Sequence, residues 1–115
     1  MPERIAAATV SFGTNGDIAN GYLAHPVSPG PHPALVVIQE WWGVDAHIKD
    51  VTERFARLGF AVIAPDLYHG QFTSEPDEAR KMAMAMEYDQ AVKEIDAAAT
   101  WLLQQPYAQG PNFGC

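Results

Sequence analysis

The sequence predicts an α/β fold: a mostly parallel sheet led by an antiparallel hairpin. Three observations carry that reading. Ala34-Leu35-Val36-Val37-Ile38 and Phe60-Ala61-Val62-Ile63-Ala64 are short, continuous apolar runs, the pattern of strands buried on both faces of a parallel sheet. Between them Ile48, Val51, Thr52, Phe55 and Leu58 recur at helical spacing. Ahead of both, two alternating segments flank Asn15-Gly16, and Asn-Gly is the strongest short-range hairpin signal.

The elements follow in order. Ala8-Thr9-Val10-Ser11-Phe12 alternates and reads as the first strand. Residues 18–25 alternate again, with Ile18, Tyr22 and Leu23 as the larger apolar side chains. Residues 26–33 hold four prolines and a glycine and read as a loop. The run 34–38 is then the third strand. Asp45 is the expected N-cap of the first helix and Gly59 its stop. The run 60–64 is the fourth strand, ended by Pro65. Strand, helix and strand make a βαβ unit, whose crossover is expected to be right-handed. Ser74 reads as the N-cap of a second helix, with Pro76 in its first turn and Asp77 at its third position. Met82, Met84 and Met86 are expected to pack on this helix, because methionine fills irregular gaps. Asp89 caps a third helix through Val92, Ile95, Ala99, Leu102 and Leu103, ending at Pro106. A new strand begins near Asn112.

Composition narrows the function classes. With 115 residues the chain amounts to one small domain at most. The net charge is -7 with the acids spread along the chain, so no basic stripe is present to neutralise phosphates. Nucleic acid and anionic membrane surfaces are therefore not expected partners. Cys115 is the only cysteine, which rules out an intrachain disulfide and a cysteine-based metal cluster. The N-terminus lacks a long apolar segment, and no apolar run is long enough to span a bilayer. The expectation is a soluble cytoplasmic protein.

Ligands of open α/β sheets bind beyond the carboxyl ends of the parallel strands. Two such ends are visible: Gln39-Glu40-Trp41-Trp42-Gly43, and Pro65-Asp66-Leu67-Tyr68-His69-Gly70. Glu40 directly follows a buried strand and precedes two tryptophans, so its carboxylate is expected to be partly desolvated and its pKa raised. A salt-bridged loop acid is the plainer alternative. Trp41 and Trp42 read as aromatic cover or pocket wall. His25 and His32 flank the proline-rich loop and are expected to be solvent-exposed. His47 lies near Asp45 and Asp50 without the spacing of a metal site. His69 lines a pocket rim or closes a turn. Cys115 fails the nucleophile-elbow pattern, because Phe113 stands where a glycine is required two residues before it.

Three segments together resemble the dienelactone hydrolase (carboxymethylenebutenolidase) family. They are Ala34-Leu35-Val36-Val37-Ile38-Gln39-Glu40-Trp41-Trp42-Gly43-Val44, then Gly59-Phe60-Ala61-Val62-Ile63-Ala64-Pro65-Asp66-Leu67-Tyr68, then Gln105-Pro106-Tyr107-Ala108-Gln109-Gly110-Pro111-Asn112-Phe113-Gly114. The similarity runs from about Ser11 to the end of the chain. It implies an α/β-hydrolase fold, here truncated before the nucleophile elbow, with residues 1–115 the N-terminal portion of a single domain. It implies hydrolysis of lactones or related esters through an acyl-enzyme on a Cys-His-Asp triad, without metal or cofactor. It also implies that Glu40 pairs with the resting cysteine and helps activate it, and that the loop supplies an oxyanion donor, the Trp41 N–H. Gly114 matches the first glycine of the family's Gly-x-x-Gly-x-Cys-x-Gly-Gly, so Cys115 is a strand residue and the nucleophile would lie four residues further on. Trp42, Tyr68 and Arg80 are the candidate substrate-binding residues. The chain departs from the family where an arginine and a tyrosine bind the dienelactone carboxylate: Pro76 and Arg80 occupy those places, leaving Arg80 as the available cation.

Two readings compete with an incomplete hydrolase. One is a non-catalytic half-fold used for binding or assembly; the other is a thiol enzyme built on Cys115. In the α/β-hydrolase strand order the third strand lies between the fourth and the fifth. A chain ending at Cys115 is therefore expected to leave the runs 34–38 and 60–64 short of cover and to self-associate through an exposed sheet edge.

Overall fold

In a computed structural model, residues 3–14 and 16–114 are described, those from 109 to 114 by their backbone alone. Five strands and three helices follow in the order β1 (Ile5–Thr14), β2 (Asp17–Pro26), β3 (His32–Val36), α1 (Ala46–Arg57), β4 (Ala61–Pro65), α2 (Pro76–Ala85), α3 (Tyr88–Leu103) and β5 (Ala108–Gly114). The sheet order is β1-β2-β4-β3-β5. β1 and β2 form the antiparallel hairpin, and β2 runs antiparallel to β4. β3 is parallel to both β4 and β5. The third strand thus sits between the fourth and the fifth, as the resemblance implies.

β4 shows why the run at its centre is unbroken. All five of its residues are buried, because helices cover both faces. Ala61 and Ile63 face a core that includes Ala98, Ala99 and Leu102 of α3. Val62 packs with Ala56 of α1, and Ala64 with Ile48. The expectation that residues 60–64 would lie bare is corrected here for 61–64: α1 and α3 suffice to cover them.

β3 behaves differently from its sequence pattern. It begins two residues early, at His32, because the His32 N–H donates to the Tyr107 carbonyl at 2.7 Å and extends the ladder toward β5. It also ends two residues early, at Val36; its burial alternates, with Leu35 half-buried, and Ile38 beyond its end is 40% exposed. An apolar run alone therefore did not mark full burial on both faces. His32, expected in solvent, is buried and bonds the Ser28 carbonyl through Nε2.

The caps divide in the same way. Asp45 caps α1 as expected, accepting from the Ile48 N–H at 3.1 Å, and Gly59 follows the helix at φ +106, a conformation that suits glycine. α2 starts one residue later than expected, with Glu75 as N-cap and Pro76 at its first position. The preceding turn is held by Thr73, whose Oγ1 accepts from the Glu75 N–H. α3 starts earlier, with Glu87 rather than Asp89 at the cap. Of the three methionines only Met82 is half-buried; Met84 is 79% exposed, so the sulfur-rich stretch is not core. No helix among the described residues is long and apolar enough to cross a membrane.

Candidate active site

The carboxyl ends of β3 and β4 are pinned together by Gln39. Its Oε1 accepts from the Leu67 N–H at 2.8 Å. On the β4 side Asp66 builds a turn, its carboxylate accepting from the Tyr68 N–H at 3.2 Å and the Gly70 N–H at 2.6 Å. That turn buries Leu67 and Tyr68. Burial pushes the Tyr68 phenol above its usual range, partly offset by a hydrogen bond with Gln39.

The loop after β3 is equally constrained. The Gly43 N–H closes a turn onto the Glu40 carbonyl at 3.0 Å, and Gly43 also bridges to Phe72. The Trp42 carbonyl accepts from the Thr73 N–H. Trp41 and Trp42 lie with ring centroids 5.0 Å apart. The Trp41 N–H has no acceptor among the described residues, so it is available as a donor at the strand end.

Gly43 makes this arrangement possible. Its φ is +94, and a Cβ there would stand 2.7 Å from the Gln71 carbonyl oxygen. Gly43→Ala is therefore expected to destabilise the folded protein by about 2–4 kcal/mol, combining left-handed strain with a backbone clash. Chemical denaturation checks this, and a loss under about 0.5 kcal/mol, the ordinary surface value, would show that the two loops do not depend on each other.

Glu40 is not desolvated as expected. Its side chain is 57% exposed and stands 3.5 Å from the His47 Nε2 at the start of α1. The geometry is nearer the plainer alternative, an exposed loop acid beside an imidazole. Tyr68 lines a cleft of about 520 Å³ together with Leu67, His69, Lys81 and Met82. Trp42 is half-buried and outside this lining. Arg80 is exposed and does not reach the cleft. Successive helix residues point about 100° apart, so its neighbour Lys81 is the cation that lines it. Cys115 lies outside the described residues.

Sequence reading missed Gln39, Gly43 and Glu94. Glu94 is 4% exposed and hydrogen-bonded to His69. A signal existed for it: the acid falls on the buried stripe of α3 with Ala91, Ala98 and Leu102. No comparable pattern marks Gln39, whose partner is a backbone N–H 28 residues away.

A mixed sheet of this strand order, with helices on both faces and polar loops at the strand ends, is the first half of an α/β-hydrolase. Comparison with known proteins narrows the class: the profile of the dienelactone hydrolase family matches residues 19–115, and the chain belongs to that family. A protein of Aquifex aeolicus, provisionally named carboxymethylenebutenolidase, is 38% identical over 90 residues, covering 76% of this chain and 38% of its own length. A crystal structure from Klebsiella pneumoniae, provisionally named a dienelactone hydrolase, superposes with a TM-score of 0.79 at 29% identity, over 90% of this chain and 46% of that one. The dienelactone hydrolase-like promiscuous phosphotriesterase P91, from metagenomic libraries, also gives 0.79, at 25% identity, over 95% of this chain and 47% of that one. The chain spans less than half the length of these relatives.

Proposed function

We propose that the protein to which this chain belongs hydrolyses lactones or related esters through an acyl-enzyme on a Cys-His-Asp triad. Membership of the dienelactone hydrolase family supports the reaction class. The observation that carries the roles of this half is the Trp41 N–H, without an acceptor among the described residues, in the loop after β3 and next to Glu40. In this reading a cysteine thiolate attacks the ester or lactone carbonyl. The carbonyl oxygen takes up negative charge, and the Trp41 N–H donates to it as one of two oxyanion donors. Glu40 pairs with the resting thiol and helps to activate it. Tyr68 lines the substrate cleft, Trp42 backs the loop, and Lys81 supplies the cation in place of Arg80.

The nucleophile is proposed to follow Cys115 in an elbow of the form Gly-x-Cys-x-Gly-Gly. The test uses the full-length gene product with p-nitrophenyl acetate and a panel of lactones. Saturable hydrolysis that disappears when the elbow cysteine is alkylated is the expected outcome. A full-length protein without saturable turnover of any ester or lactone in the panel would overturn the reading.

A further inference from the structure

Glu94 is out of character with its helix. α3 buries Ala91, Ala98, Ala99 and Leu102 toward the interior, and Glu94 is buried among them. A carboxylate withdrawn from water is costly unless hydrogen-bonded donors surround it. Two side chains meet that need: His69 places Nε2 at 3.0 and 2.9 Å from the two oxygens, and the Gln90 Nε2 donates at 2.9 Å. His69 reaches this position from the loop after β4 in a left-handed backbone conformation, φ 54. Such a conformation persists in a non-glycine residue where the surroundings hold it, and it gathers at functional sites.

Satisfying Glu94 uses only one side of the imidazole. The side chain of His69 is 62% exposed and lines the 520 Å³ cleft. Its Nδ1 has no partner among the described residues. In the neutral ring the Nε2–H points to Glu94, so Nδ1 carries a bare lone pair. A buried carboxylate thereby fixes the tautomer that leaves an acceptor nitrogen on a ring lining the cleft.

We propose that His69, oriented by Glu94, is a specificity-determining residue whose Nδ1 accepts a hydrogen bond from a hydroxyl group of the substrate. The protein then favours hydroxylated esters and lactones over their deoxy counterparts. The reaction part of this inference rests on the hydrolase reading; the binding part does not.

The experiment compares kcat/KM of the full-length protein for ethyl lactate and ethyl propionate, on the alkaline side of the imidazole range. Wild type is expected to favour ethyl lactate by roughly tenfold, the scale of one well-placed hydrogen bond. Glu94→Gln keeps the shape but no longer dictates the tautomer. His69→Asn removes the ring and retains a residue that tolerates the left-handed backbone. Both variants are expected to bring the ratio close to one, chiefly by raising KM for ethyl lactate. A second arm titrates lactamide and propionamide while following the ring nitrogens of His69 by NMR. Movement of the Nδ1 resonance with lactamide alone supports the proposal even in a protein that hydrolyses neither ester, in which case only the hydrolase reading falls. A wild-type ratio near one, a ratio unchanged in both variants, or equal movement with both amides overturns it.

Discussion

Replacing Glu40 by glutamine in the full-length protein is expected to lower the acylation rate by on the order of 10²-fold, the lower end for a group that assists proton transfer. Folding should be intact, because the side chain is 57% exposed and its ion-pair neighbour among the described residues is the exposed His47, at 3.5 Å. Exposed pairs of this kind contribute about 0–1 kcal/mol. The substitution keeps size and polarity while removing the charge. In the proposed arrangement, a carboxylate beside the thiol would disfavour a second negative charge and keep the resting thiol protonated until substrate disturbs the pair. Pre-steady-state acylation with p-nitrophenyl acetate, measured from roughly pH 5 to 9 to span shifted carboxylate and thiol values, provides the check. A variant indistinguishable from wild type across that range would reduce Glu40 to a structural loop acid.

Expressed alone, residues 1–115 are expected to show no saturable ester hydrolysis and to self-associate. The segment carries the proposed oxyanion donor, the Trp41 N–H, and the acid Glu40, but among the described residues no positioned nucleophile and base. Its surface is also poorly finished: Ile38 is 40%, Trp41 44% and Phe72 63% exposed. Full burial of side chains of this kind stabilises by roughly 1.5–3 kcal/mol each. Because each is already partly covered, burying what remains of the three would stabilise by roughly 2–4 kcal/mol in all, below the lower end of a domain's stability, about 5 kcal/mol. β5 adds a strand paired with β3 on one side, and an unpaired strand edge is a template for another chain. The helices over β4 limit the effect, since the central strand is already covered on both faces. Size-exclusion chromatography across a concentration series, with chemical denaturation, tests the expectation. A monomer with one cooperative transition would sink it and favour a binding module. Saturable turnover abolished by Cys115→Ser would instead make Cys115 the nucleophile.

Local chemistry determined much of this molecule. The β1–β2 hairpin, whose Asn15 lies outside the described residues, the helix from Asp45 to Gly59 and the two apolar strands were legible because each signal lies within one element: a turn dipeptide, a cap, a run of β-branched side chains. The same runs placed Glu40 and Trp41 in the loop that follows β3, although the strand itself ends at Val36. Tertiary structure decided the rest. Covering helices made β4 buried throughout while β3, with a similar sequence, alternates. The setting of Glu40, exposed and beside His47, depended on where its loop lies against α1, and which of Arg80 and Lys81 lines the cleft depended on the rotation of α2. Gln39 to Leu67 and His69 to Glu94 join residues 28 and 25 positions apart. Side-chain contacts of that range have no periodicity along the chain, because they arise only when the packing of the sheet and its helices brings the partners within hydrogen-bond reach.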